Sequence, residues 1–384
     1  MVAGRVRDIE ESTTVKSASM AAQLKKSGVN VISFGMGEPD FDTPENIRVA
    51  AKKAMDSGFT HYTPAEGIPE LREAIAEKSK KENLLECGPE NVVVMPSKFA
   101  IFASMFALLE AGDGAILPDP GWQSYGASVA LCGASSYYYA GIKDIPAAIE
   151  TCRNSGKKPK LLVLNSPSNP TGNVFDEREV KKLADIAESE NICVLSDEVY
   201  EKLVYDGRNI SIGRYLGDKA ITINGLSKTY AMTGWRVGWC VAYGEALDGI
   251  RKIMQHTLTC STSFAQYGAL EALRGPQESV ELMRREFEKR RNFACAKLKK
   301  MRSIELEVPK GAFYLFPSYL FDESSEDLCN MMLKEAHVIL TPGTAFGKNG
   351  EKHFRLSYAA SMKNLEEGLN RIEEFIERYK CEKF

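Results

Sequence analysis

From about residue 44 to residue 240 the chain alternates between two patterns, and that alternation restricts its fold more than any other feature. Residues 44–57 and 67–82 read as amphipathic helices. Residues 91–95 (NVVVM), 114–117, 161–165, 192–195 and 220–223 read as short apolar strands, with helical stretches such as 176–190 between them. Strands this apolar must be covered on both faces, and covering helices between successive strands produce a mostly parallel sheet. The pattern then changes. Residues 278–301 read as one long, charge-rich helix, followed by strands near 304–308, 312–316 and 353–358 and a terminal helix from 364. The expected architecture is α/β: a large sheet domain joined to a smaller α+β domain.

The composition narrows the function classes. A net charge of −3 gives no reason to expect nucleic acid or an anionic membrane as partner. The longest apolar stretch, residues 99–109, is interrupted by Ser104 and is about half the roughly 20 residues that span a bilayer. The N-terminus, MVAGRVRDIEES, turns charged at once and has no apolar signal core. Nine cysteines show no CxxC pair and no zinc spacing, so reduced thiols and a cytoplasmic location are expected, with no metal.

Several segments carry chemistry. Residues 224–239, NGLSKTYAMTGWRVGW, place Lys228 just after an apolar strand and Arg236 eight positions on. A lysine that is partly desolvated loses its proton more easily and can form an imine with a carbonyl, while a nearby guanidinium suits a phosphate. Residues 192–200, ICVLSDEVY, put Asp197 at the end of a strand, where open α/β sheets bind ligands, and Tyr200 three residues later. Residues 164–172, LNSPSNPTG, form a rigid loop carrying Asn169. Residues 96–102, PSKFAIF, join a strand to a helix whose first amides, at Ser97 and Lys98, can hold an anion. Residues 119–125, DPGWQSY, offer Trp122 as a flat stacking surface. In residues 353–359, HFRLSYA, Arg355 sits among apolar neighbours and needs a carboxylate partner, either a substrate or a structural salt bridge. The GxG of FGMGEPDFDTP (34–44) is not a dinucleotide fingerprint, and GTAFGK (343–348) is one residue short of a P-loop and reads as a turn.

Taken together, these strings resemble the class I/II pyridoxal-phosphate-dependent aminotransferases of fold type I, over about residues 5–379 and in family order. The branch with GEPDF and MTGWR strings, the aspartate aminotransferases, is the most similar. The resemblance implies a mostly parallel, seven-stranded type of sheet flanked by helices. It implies an N-terminal arm with part of the small domain (1–40), a large cofactor domain (41–277) and a small C-terminal domain (278–384). It also implies pyridoxal 5′-phosphate as cofactor. Lys228 then carries the cofactor aldehyde and acts as general base, Asp197 faces the pyridine nitrogen, and Asn169 and Tyr200 bond the ring 3′ oxygen. Trp122 stacks on the ring, and Arg236, Ser97 and Lys98 hold the phosphate. Tyr62, in HYTPAEGIPEL (61–71), reaches the phosphate of a neighbouring subunit, which implies a homodimer with shared active sites. Arg355 and the Gly37 amide take the substrate α-carboxylate, with Trp122 and Asn169 beside it.

The implied reaction is ping-pong transamination between an L-amino acid, with aspartate the leading candidate, and a 2-oxo acid such as 2-oxoglutarate. Ser12, Thr14 and Lys98 fall where this branch contacts the distal carboxylate. Lys98 has a second reading as a solvated surface lysine. Three departures bear on the match: Pro96-Ser97 stands where Gly-Gly or Gly-Ser is common, IEESTTV lacks the usual proline before its serine, and Ser261 replaces a proline in CSTSFAQ (260–266). Aromatic or alanine aminotransferases and a β-eliminating lyase on the same fold are the alternatives. A DNA-binding regulator on this fold would need an added domain of roughly 60 residues. Gly37 lies only 36 residues from the start, so no such domain is expected.

Overall fold

The computed structural model describes residues 2–7, 9, 11, 19–20, 23–24 and 26–383. Two helices, α1 (Glu45–Asp56) and α2 (Pro69–Glu82), lead into the central sheet. Its strands are β1 (Val92–Val94), β2 (Asp113–Pro118), β3 (Ser135–Tyr139), β4 (Lys158–Asn165), β5 (Cys193–Asp197), β6 (Ala220–Gly225) and β7 (Gly238–Val241). They form one seven-stranded sheet in the order β1-β7-β6-β5-β4-β2-β3. All pairings are parallel except those of β7, which runs antiparallel to both β1 and β6.

The alternation of side chains explains why this sheet needs helices on both faces. Leu161 and Val163 of β4 join one core with Val93, Leu195, Ile221 and Ile223. Their neighbours Leu162 and Leu164 point the other way, into a second core with Ile116 and Val194. A third core, on Val92 and Val94, packs under α2. Successive side chains of a strand face opposite sides, so runs such as LLVL bury both. One covering helix, α3 (Ser97–Leu108), is apolar nearly all round and packs into the first of these cores. Another, α4 (Glu177–Glu190), starts at a reciprocal cap in which Asp176 Oδ1 accepts from the Glu179 amide at 2.9 Å and Glu179 Oε2 accepts from the Asp176 amide at 2.8 Å.

A fourth core belongs to the C-terminal part, with α5 (Glu278–Leu298) and α6 (Met362–Lys383) packed against small sheets. One of these sheets pairs Phe354–Ser357 antiparallel with both Tyr314–Leu315 and Thr341–Pro342. The N-terminal segment is built into this part. Ile32–Ser33 pairs in parallel with Val338–Ile339, and Phe34, fully buried, donates its amide to Ile339 O at 2.9 Å and accepts from the Ser357 amide at 2.9 Å. Among the described residues no helix is long and apolar enough to cross a membrane, and no group of three or more ligating side chains could hold a metal ion.

The strand expected at 304–308 is confined to Ile304–Glu305, because the chain runs on to Pro309, which has no amide to donate to a ladder. The strand expected at 312–316 is Tyr314–Leu315, since Ala312 takes a left-handed φ of 57° that strand pairing does not accommodate. The segment 343–350 consists of two short 3₁₀ turns, in agreement with its reading as a turn. Phe34→Ala would remove a fully buried ring where the N-terminal segment meets the small sheet. It should cost about 3–5 kcal/mol, read as a lower urea midpoint for loss of the C-terminal core; an unchanged midpoint would contradict this packing.

Candidate active site

The strand directions gather the chemistry at one edge of the sheet. Because β7 runs antiparallel to both its neighbours, its beginning lies beside the ends of β1 and β6, and every loop at that edge converges. Asn165 and Asp197 are register partners at the ends of β4 and β5, and Asp197 also faces Ile223 of β6. Asn169 follows β4, Lys228 follows β6, Arg236 precedes β7, Ser97 and Lys98 follow β1, and Trp122 follows β2. Arg355 comes from the C-terminal sheet and Gly37 from the segment after Phe34. The side chains line a cavity of about 440 Å³, which contains Gly37, Ser97, Lys98, Trp122, Asn169, Asp197, Tyr200, Lys228, Arg236 and Arg355.

The Lys228 ammonium donates to the Gly37 carbonyl at 2.6 Å. Burial pushes its pKa from 10.5 down to about 8; Glu38 opposes this, while the charges of Arg355 and Arg236 add to it. A Cβ on Gly37 would overlap the Tyr314 hydroxyl, so only glycine allows this close approach. Asp197 is pushed up to about 6 by burial, opposed by a hydrogen bond from the Tyr125 hydroxyl at 2.6 Å, by the Val199 amide and by the charge of Lys228.

The turn after Asp197 is braced from beneath by the buried Glu198. Glu198 accepts from Ser196 Oγ at 2.8 Å, Ser211 Oγ at 2.6 Å, Asn83 Nδ2 at 3.2 Å and Asn209 Nδ2 at 3.1 Å. Above it the Tyr200 and Tyr314 hydroxyls meet at 2.7 Å.

Arg355 is only 1% exposed. Its guanidinium donates to Asn169 Oδ1 at 2.9 Å and to the Gly35 carbonyl at 2.6 Å, and lies 4.5 Å from the Tyr314 ring and 4.9 Å from the Phe346 ring. All four partners are neutral, and its Nε is buried without any partner. Among the described residues the guanidinium's hydrogen bonds go to an amide oxygen and a backbone carbonyl, not to a carboxylate.

The cavity holds two further cations, Lys98 and Arg236. Helix α3 begins at Ser97, whose hydroxyl donates to the Asn224 carbonyl at 3.0 Å and ties the helix start to β6. The Phe99 and Ala100 amides turn back to the Pro96 carbonyl at 2.8 and 2.9 Å, which leaves the Ser97 and Lys98 amides as the donors at the helix tip. Arg236 adopts a left-handed φ of 58° and donates to the Thr233 carbonyl at 2.8 Å. The Lys98 ammonium stands 5.1 Å from the Trp122 ring centre, and partial burial, then the Arg236 charge, lower its pKa.

Tyr62 does not join this cavity; it is 85% exposed. Thr14 and Ser12 lie outside the described residues. Sequence reasoning missed Tyr125, Tyr314, Phe346 and Glu198. Tyr125 and Glu198 stand inside motifs already singled out, but Tyr125's partner Asp197 and Glu198's partner Asn83 come from distant segments.

The aminotransferase class I and II family model matches residues 29–372. The chain is 39% identical to an aspartate aminotransferase of Pyrococcus horikoshii over 98% of this chain and 97% of that protein. It is also 39% identical to aromatic-amino-acid aminotransferase 2 of Thermococcus litoralis, over 91% of this chain and 92% of that one. A solved structure of the aspartate aminotransferase from Thermus thermophilus with maleate superposes at a TM-score of 0.92, with 34% identity and 98% and 99% of the two chains covered. The chain belongs to the class I and II aminotransferase family and is a pyridoxal-phosphate-dependent transaminase.

The lowered pKa of Lys228 has a direct readout. Cofactor-free protein should capture pyridoxal phosphate at a rate that rises with pH, because only the neutral amine attacks, with a midpoint of about 8. A midpoint near the ordinary 10.5 would mean that the amine is not desolvated.

Proposed function

We propose that the protein moves the amino group of an acidic L-amino acid, aspartate first, to a 2-oxo acid such as 2-oxoglutarate, as a cytoplasmic homodimer. The observation that carries this reading is the pairing of two cations in one cavity: Arg355, buried and with no carboxylate partner among the described residues, and Lys98 beside Trp122. A four-carbon diacid presents two carboxylates to two such groups. The presence of maleate, a diacid, in the Thermus thermophilus relative supports the same choice.

The donor set fits the cofactor. The buried carboxylate of Asp197, with a hydroxyl and an amide as neighbours, suits a protonated ring nitrogen. The α3 tip with Arg236 suits a phosphate. The Trp122 ring gives a flat wall, and Asn169 and Tyr200 line the space between. When bound, pyridoxal phosphate supplies an electron sink that makes the substrate's Cα–H bond acidic.

The remaining work falls to the chain. Arg355 and the Gly37 amide hold the α-carboxylate and fix which bond at Cα faces the lysine. Lys228, with its pKa held near 8, takes the proton at Cα and returns it on the far side of the reaction. Asp197 would hold the ring nitrogen in its protonated form, and Tyr200, backed by Tyr314, would hold the 3′ oxygen. The exposure of Tyr62 away from its own cavity supports a role at a second subunit's phosphate.

Steady-state rates with paired donors test the substrate assignment. Lys228→Ala should abolish turnover with every donor. Lys98→Met should lower kcat/KM for aspartate by about tenfold to a hundredfold while leaving phenylalanine within about twofold, since one charge-assisted contact is lost only with the diacid. Equal losses for both donors would remove Lys98 from the distal contact. A wild-type preference for phenylalanine or alanine would replace the aspartate reading.

A further inference from the structure

Phe346, which backs the Arg355 guanidinium, is not held by the strand that carries Arg355. It closes the turn Gly343–Phe346, and the turn Lys348–Gly350 follows at once. Both turns are fastened directly to residues 119–121. Asp119 Oδ2 accepts from the Lys348 amide at 3.2 Å, and Oδ1 from the Asn349 amide at 3.1 Å. The Asn349 side-chain amide donates to the Asp119 carbonyl at 3.2 Å. The Gly121 amide donates to the Phe346 carbonyl at 2.7 Å. Gly347 between them has a φ of 128°, and a Cβ there would overlap the Asp119 carboxylate. Asp119 is itself buried, and the two backbone amides offset part of the rise in pKa that burial causes.

One aspartate thus ties the stretch leading to Trp122 to the turns at 343–350. Three residues beyond it lies Trp122, which lines the wall; against its carboxylate lies the turn that seats Phe346 under Arg355. We propose that Asp119 is a positioning residue for the substrate α-carboxylate: by clasping residues 346–349 it holds Phe346 against the guanidinium of Arg355 and sets that guanidinium's place relative to the Trp122 wall. The inference rests on Arg355 being the carboxylate site. An arginine stacked between two rings keeps its plane only while both rings stay in place, and small displacements of a positioning group are costly in binding.

The test uses the holoenzyme and three variants, Asp119→Ala, Asp119→Asn and Gly347→Ala, with Arg355→Lys as control. The readouts are KM and kcat for aspartate and the dissociation constant for maleate, which binds without reacting. Asp119→Ala should raise KM and the maleate constant about tenfold with kcat within about twofold, and Asp119→Asn should recover part of the loss. Gly347→Ala breaks the clasp from the other side and should give the same rise. The double variant Asp119→Ala/Gly347→Ala should add nothing further, as expected for two residues in one interaction. If Asp119→Ala fails to fold, Gly347→Ala with maleate decides alone. An unchanged KM and maleate constant in these variants, or a fall in kcat alone, overturns the inference while a raised KM in Arg355→Lys leaves the carboxylate site standing. An unchanged KM in Arg355→Lys removes the carboxylate site itself and the inference with it.

Discussion

The structure is organised around the buried Arg355 guanidinium, which pairs with no carboxylate among the described residues. Removing a guanidinium from water is expensive, and proteins ordinarily offset that cost with a carboxylate. Arg355 instead has an amide oxygen, a backbone carbonyl and two aromatic rings, with its Nε left over. Such an arrangement persists only when the surrounding packing holds it, and here the packing comes from every part of the chain. The strand that carries Arg355 pairs on both edges, Phe34 brings in the N-terminal segment, Tyr314 and Phe346 enclose the guanidinium, and Asn169 reaches it from the end of β4. On the proposed reading, the substrate carboxylate supplies the counter-charge.

The same low-dielectric setting sorts the two titrating groups at the centre. Burial acts in opposite directions on an amine and a carboxyl: it lowers Lys228 to about 8 and raises Asp197 to about 6. Each is thereby brought closer to neutral pH than its free form, which is where proton transfer to and from a substrate carbon is efficient. Three further cations, Arg355, Lys98 and Arg236, line the same cavity. A cavity with this charge suits an anionic ligand.

Much of this was legible in the sequence, for identifiable reasons. Strands such as β4 and β6 announce themselves because both faces are buried and nearly every residue is apolar. β3, with the sequence SSYYY at the sheet edge, and β7, hidden inside the lysine motif, carry no such run and were not anticipated. The two-residue strands of the C-terminal part are too short to leave a pattern. Lys228, Asp197, Asn169 and Arg355 were legible because each stands in a string whose chemistry is unusual, and the fold brings all four to one cavity. Tyr125, Tyr314, Phe346 and Asp119 were not, because what they do depends on partners far away in the chain, and no local pattern encodes a partner.

The account's central claim is that a lysine-bound cofactor and an empty-handed arginine meet at this cavity to process an acidic amino acid. The most direct measurement is the near-visible absorbance of the purified, cofactor-loaded protein during titration with L-aspartate in the absence of any 2-oxo acid. The account predicts that the band of the lysine-bound cofactor is lost as aspartate is added and returns when 2-oxoglutarate follows. A band indifferent to aspartate would contradict the acidic substrate, and the lack of any band after pyridoxal phosphate is supplied would contradict the role of Lys228 on which the whole reading stands.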